Sequence, residues 1–320
     1  CRLRSRRLNV LPSRIGRPYA SPVTSAKTWF QASRPMSFTA AIVPALVGSL
    51  LAADETFSWW KALLAIAGSV FFLAGTNFVN DFYDDRKGAD GPDALGMPGS
   101  IQRGILSPKA VLLAGFACFA AGGAIGIVLC FASGWELLAI GVASALAGFL
   151  YTGWPLHLAY VGLGEIVVFF FMGPIIVMGA SFVQVEAFTW EAFVASLPIA
   201  FLVAAILHAN NLRDIEHDRK ANKRTVATVI GRKWANREMY LLLALTYVTL
   251  VVAWGVGAIP WPALVALASI PLVRPIIAVV RAGGNPKKLN LALYKTAQLH
   301  MRFGALLAAG LGLNWLIESL

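Results

Sequence analysis

Apolar residues run along this chain in long, nearly unbroken stretches, without the alternation of a half-buried strand or the stripe of a surface helix. The stretches fall at roughly 37–53, 59–80, 109–132, 135–151, 162–183, 192–210, 239–256, 260–280 and 301–317. Most approach the ~20 residues that a helix needs to cross the ~30 Å hydrocarbon core of a bilayer. Lipid offers backbone groups no hydrogen-bond partner, so only helices and closed barrels cross it, and these runs are too long and continuous for barrel strands. The expected fold is therefore all-α, a polytopic membrane protein of about nine transmembrane helices enclosing a central cavity.

Composition agrees with that pattern. Hydrophobic residues make up 58% of the chain and charged residues only 13%, with a mean hydropathy of +0.68, outside the usual balance of a soluble domain. The net charge of +11 is unevenly spread. With the N-terminus cytoplasmic, the basic residues of the leader and of 84–109, 213–237 and 274–302 all gather on the cytoplasmic side. The opposite side receives Asp54, Glu55, Glu136, Glu186 and Glu191, with Lys61 as its one basic residue. This is the positive-inside bias of a membrane protein, so the charge reads as topology, and no nucleic-acid partner is expected. The expected location is a bacterial inner membrane with cytoplasmic active-site loops, an organellar membrane being the alternative.

Residues 1–34 form a basic N-terminal segment, read either as a tail or as part of a targeting sequence. Residues 35–320 read as one transmembrane domain whose longest polar stretches are 81–108 and 211–238. Cys1, Cys118 and Cys130 show neither metal-ligand spacing nor a disulfide framework.

Those two polar stretches share an internal echo. Asn77, Asp81, Asp85, Arg86 and Lys87 repeat the spacing of Asn210, Asp214, Asp218, Arg219 and Lys220. Residues four apart share a helix face, so Asn80 with Asp84, or Asp81 with Asp85, project together from the end of the second run, as Asp214 and Asp218 do from the sixth. Carboxylates held that close repel unless a cation intervenes. Short oxygen ligands suit Mg²⁺, which binds through a carboxylate or two together with substrate phosphates. Two such clusters beside Lys and Arg describe a magnesium-diphosphate clamp. An ion-coupled transporter is the competing class, but its acids are expected within the spans, not at their ends.

Four segments resemble the UbiA family of membrane prenyltransferases, and within it the menaquinone-pathway branch that prenylates 1,4-dihydroxy-2-naphthoate. They are TNFVNDFYDDRKGAD from Thr76, SIQRGILSP from Ser100, YTGWPLHLAYVGLGEIVVFFFMGP from Tyr151 and NNLRDIEHDRKANKRT from Asn210. The resemblance implies Mg²⁺-dependent transfer of a polyprenyl group from its diphosphate to an aromatic acceptor. In this branch the acceptor is the naphthoate, with loss of CO₂; 4-hydroxybenzoate is the alternative. It implies Asn80, Asp81, Asp84, Asp214 and Asp218 as metal-site residues, with Asp84, Asp214, Asp218 and Tyr151 in catalysis. Its register favours Asn80 and Asp84, whereas the internal repeat selects Asn77, Asp81 and Asp85. Gly88 stands where the wider family has a further Asp, and Asp90 matches the branch's KGxD pattern. Substrate contacts are expected from Arg34 of the Arg34–Pro35 pair, Asn77, Gln102, Arg103, Asn210, Asn211, Lys220 and Arg224. Glu165 has two readings, orienting the acceptor or bonding a neighbouring helix.

Overall fold

The structure is a computed structural model and describes residues 25–53, 57–88, 99–283 and 285–319. The leader up to residue 24, Asp54, Glu55 and Asp90 lie outside the described residues. Within them the chain is helical almost throughout, and the only extended pairing is a single bridge between Val161 and Arg224.

Helix α1 (Ala26–Ala32) and a tight turn at Pro35–Ser37 lead into α2 (Thr39–Leu51), followed by α3 (Trp59–Lys87), α4 (Pro108–Ser133) and α5 (Glu136–Leu150). Helix α6 (Gly164–Phe170) passes through a widened turn at Phe171–Ile175 into α7 (Ile176–Val185). That turn holds Pro174, which lacks the N–H that a regular helix would use there. Next come α8 (Trp190–Lys220) and α9 (Val226–Gly255), a 3₁₀ stretch at Trp261–Leu272 that continues into α10 (Val273–Ala282), and α11 (Pro286–Glu318). Local signals set the ends. Ser107 caps α4 ahead of Pro108, Thr189 caps α8, and Gly88 closes α3 in the left-handed region at φ 66°.

The nine apolar runs all fall on helical segments, yet among the described residues length and composition qualify six helices to cross a membrane, or seven if α1 and Pro35–Leu51 count as one span bent by 48°. The expected count of nine is thus not reproduced. Helix α5 has 15 residues, about 22 Å at 1.5 Å per residue, short of a ~30 Å hydrocarbon core. Helix α11 is long enough, but Lys287, Lys288, Lys295 and Arg302 occupy its first half.

Helix α8 is the central pillar: 67% of its apolar window is buried, against 17% for α4. It packs on α9, α11 and α6, while α4 packs mainly on α3, and α2 lies between α7 and α11. Gly48 of α2 abuts the Val177 carbonyl of α7 so closely that a Cβ there would collide with it.

Helix lengths position the acidic clusters. At 29 and 31 residues, α3 and α8 are about 43 and 46 Å long, so their C-terminal turns extend past any apolar slab. Both emerge on one side. Lys87 Nζ donates to the Thr152 carbonyl just after α5, and Arg224 N donates to the Tyr160 carbonyl in the α5–α6 connection. At the far side Gln184, near the end of α7, bonds the backbone of Ser58 at the start of α3.

Candidate active site

A cavity of about 440 Å³ opens between helices α2 to α8, with Leu293 and Ala297 of α11 also on its wall. Its polar end carries Arg34, Asn77, Asn80, Asp84, Asn210, Asn211 and Lys223, and its depth is walled by apolar groups such as Phe72, Leu129, Ile140, Phe171 and Val183.

The first cluster divides by helix face. Asn80 Oδ1 accepts from Thr152 Oγ1 at 2.8 Å, and Asp84 Oδ1 accepts from the Tyr160 hydroxyl at 2.6 Å. Asn77 also lines the cavity, while its Nδ2 donates to the Ser33 carbonyl and Ser37 Oγ, each at 2.9 Å, tying α3 to the turn beside Arg34. Arg34 itself sits in the left-handed region at φ 58°, a conformation that disfavours a side chain bearing Cβ.

Asp81 behaves differently. One residue beyond Asn80, it is turned about 100° around the helix and is only 1% exposed. Its Oδ2 accepts from Ser100 N at 3.0 Å and Ser100 Oγ at 2.5 Å. Through Oδ2 Asp81 thus anchors the 99–106 loop, while its buried Oδ1 has no partner among the described residues. Its partner in the repeat, Asp214, is also held within the protein. Arg213 donates to it through Nε at 2.7 Å and Nη2 at 2.5 Å, and bonds Asn210 and Asn290 as well. Asp214 lies outside the cavity lining. Asp218 is buried, with Lys223 Nζ 3.6 Å from its Oδ1 and its Oδ2 without a partner among the described residues.

Tyr160 links the two clusters. Its ring lies under Lys87 Nζ at 3.9 Å and Lys223 Nζ at 5.5 Å, while its hydroxyl holds Asp84. Sequence reasoning missed Tyr160 and Thr152 because neither is charged and each meets its acid or amide from more than 70 positions away. The sole available signal was their place within the Tyr151 segment.

Several expected contacts fall elsewhere. Lys220 and Arg224 are exposed and off the cavity, whereas Lys223 lines it. Lys220 is two residues beyond Asp218, about 200° around the helix. Just past α8 the chain reverses through Asn222 at φ 54°, which carries Lys223 back. Arg103 is exposed, and the Gln102 amide packs beside Gly99 and Asp81, where a Cβ on Gly99 would strike both; neither lines the cavity. Tyr151 does line it, beside Gly164. Glu165 sits behind Asn211, whose Nδ2 donates to it at 2.7 Å.

The electrostatics favour cations. Both clusters occupy helix C-termini, where the macrodipole places about half a negative charge. Basic side chains in the same last turns, Arg86, Lys87, Arg219 and Lys220, partly offset this charge. Among the described residues, no group of three or more acids, histidines or cysteines gathers as a ready metal cage. Tyr160 and Lys223 instead bridge the clusters.

Membrane-length helices around an apolar cavity, with Asp84, amides and basic side chains at one end, define a multi-pass integral membrane protein built for an amphiphile. The chain belongs to the UbiA prenyltransferase family, which matches residues 41–299, and it is a prenyltransferase. It is 34% identical over 290 residues to the 1,4-dihydroxy-2-naphthoate octaprenyltransferase of Bacillus subtilis (strain 168), covering 89% of this chain and 92% of that protein. It is 29% identical over 308 residues to the 2-carboxy-1,4-naphthoquinone phytyltransferase of Synechocystis sp., covering 92% and 96%. Two solved structures share the fold. A UbiA homolog from Aeropyrum pernix K1 superposes with a TM-score of 0.67 at 17% identity, covering 88% of this chain and 98% of that one. One from Archaeoglobus fulgidus, bound to GPP and Mg²⁺, gives 0.57 at 18%, covering 88% and 99%.

Proposed function

We propose that this chain transfers a polyprenyl group from its diphosphate to 1,4-dihydroxy-2-naphthoate, with release of diphosphate and CO₂, as a step of menaquinone or related quinone biosynthesis. The observation that carries the reading is one cavity joining Asn80, Asp84 and Lys223 to a deep apolar wall. The polar end suits a diphosphate and the wall suits its tail. The acceptor follows the name of the Bacillus relative; the name of the Synechocystis relative gives the same carboxylated ring as its naphthoquinone.

The residues present fit Mg²⁺. Asn80, Asp84, Asp214 and Asp218 offer hard oxygen donors, and the buried Asp218 Oδ2, like Asp81 Oδ1, has no partner among the described residues and can accept a cation. When bound, Mg²⁺ adds positive charge beside the leaving diphosphate. The chain's own cations act in the same direction, since Arg34 and Lys223 line this end and provide charge-assisted donors to phosphate oxygens. The apolar wall excludes water, which would otherwise capture the allylic cation. As the allylic C–O bond breaks, its electron pair stays with the diphosphate. The Tyr151 ring offers a π face to the cation before an electron-rich ring carbon of the acceptor bonds to it and the carboxylate departs as CO₂. The same proposal puts the N-terminus and the polar end on the cytoplasmic face of a bacterial inner membrane, with residues 35–320 as one domain.

Purified protein with Mg²⁺, geranylgeranyl or longer diphosphate and separate acceptors tests this. Prenylated quinol and CO₂ are expected from the naphthoate. Product from 4-hydroxybenzoate alone overturns the acceptor, and no product from any acceptor overturns the proposal.

A further inference from the structure

Behind the polar end of the cavity, four polar side chains from three helices meet in an otherwise apolar core. Glu165 comes from α6, His208 and Asn211 from α8, and Glu238 from α9. His208 is 0% exposed, Asn211 3% and Glu165 7%. His208 Nε2 lies 2.8 Å from the Ala235 carbonyl, which can only accept, so Nε2 carries the hydrogen. Its Nδ1 faces Glu165 Oε1 at 3.6 Å and Glu238 Oε2 at 3.7 Å. A bare Nδ1 lone pair aimed at two carboxylates is repulsive, so this line holds a proton, on the ring or on a carboxyl.

Burying such a group is costly unless its members are paired, and ordinary helix packing needs none of it. Its visible effect is on Asn211. The Asn211 Nδ2 is committed to Glu165, while the residue lines the cavity, so its carbonyl oxygen is the amide atom left for a ligand. An amide oxygen accepts hydrogens and cannot bond a phosphate oxygen. It matches a hydroxyl. Tyr151, lining the same wall beside Gly164, gives an aromatic ring a neighbour to pack on.

We propose that Glu165, His208 and Glu238 are positioning residues that lock Asn211 with its carbonyl oxygen toward the cavity, where that oxygen receives the hydroxyl hydrogen of the aromatic acceptor. This rests on the reading above that an aromatic hydroxy acid enters the cavity, and it assigns the place where that acid is recognised.

Fluorescence titration of the purified full-length protein with 4-hydroxy-2-naphthoate, whose hydroxyl cannot reach its own carboxylate, and with its O-methyl ether tests the assignment, with geranylgeranyl diphosphate binding in Mg²⁺ measured alongside. The wild type is expected to prefer the free hydroxyl by about tenfold, one hydrogen bond's worth. Glu165→Ala and Asn211→Leu should each bring that preference close to unity by weakening only the hydroxyl compound. Glu165→Gln, which keeps a carbonyl acceptor for Asn211, should restore most of it. Equal loss for both naphthoates in Glu165→Ala, or loss of geranylgeranyl diphosphate binding with them, makes the cluster merely structural and overturns the inference. A wild type that binds both naphthoates equally also overturns it but leaves the proposed function standing. A wild type that binds geranylgeranyl diphosphate and neither naphthoate overturns the acceptor reading as well.

Discussion

Replacing Asp81 by asparagine removes one charge and almost no volume, and the structure defines what that charge holds. Asp81 Oδ2 receives two hydrogen bonds from Ser100, at 3.0 Å from the backbone and 2.5 Å from the hydroxyl, both within a buried pair. Bonds to a charged group contribute about 1.5–3 kcal/mol each and neutral ones about 0.5–1.5, so Asp81→Asn loosens the 99–106 loop by about 2 kcal/mol. The desolvation cost of the native carboxylate makes that a ceiling. Two kcal/mol corresponds to an opening equilibrium about 30-fold more favourable. Hydrogen exchange at residues 100–107 should accelerate by up to that factor. The Mg²⁺ concentration for half-maximal prenyl transfer should shift by less than about twofold, because the side chain points away from the cavity. A tenfold rise in that concentration, on the order of 1.4 kcal/mol, with loop exchange unchanged would make Asp81 a cation ligand and refute the helix-face argument.

Six other substitutions, in three groups, test the remaining parts. Asp84→Ala and Asp218→Ala should each lower turnover by about 10²–10³, the scale of losing a charge-stabilising group, with unchanged size-exclusion behaviour; full activity in either sinks the two-cluster clamp. Lys223→Ala should raise the KM for prenyl diphosphate about tenfold, while Lys220→Ala and Arg224→Ala stay within about twofold, as exposed charges do; the reverse order would remove Lys223 from the site. Gly48→Ala should push α2 off the Val177 carbonyl and cost about 1–3 kcal/mol, seen as a lower melting temperature in detergent; an unchanged melting temperature would deny the close approach.

Hydropathy made the helices readable because lipid imposes one rule on every backbone group that enters it. It did not make the number of crossings readable. The 15 residues of α5 and the basic first half of α11 satisfy an apolar window without satisfying the full thickness of a bilayer. In the first cluster, spacing alone left two registers, and what separates Asn80 and Asp84 from Asp81 is the rotation of α3 together with a loop that docks on one face of it. The second cluster shows a similar limit. A count of basic residues cannot tell Lys220 from Lys223 until the end of α8 and the reversal at Asn222 are known. The acid, amide and ammonium groups were visible as letters. Tyr160, which joins them, was not, because its role arises only where three separate chain segments meet.

The Tyr160 bridge has a consequence for how the molecule moves. Its hydroxyl competes with any arriving cation for the lone pairs of Asp84, and its backbone is stitched to Arg224 in the connection between α8 and α9. A ligand at Asp84 and the connection after α8 therefore meet on one residue, and any coupling that Tyr160 carries between them is reciprocal. Each degree of freedom the latch surrenders beforehand is one that substrate need not freeze. Changes at Asn222 or Thr225, which flank the latch without lining the cavity, would then register as altered affinity, so that selection on substrate use reaches residues that no ligand atom meets.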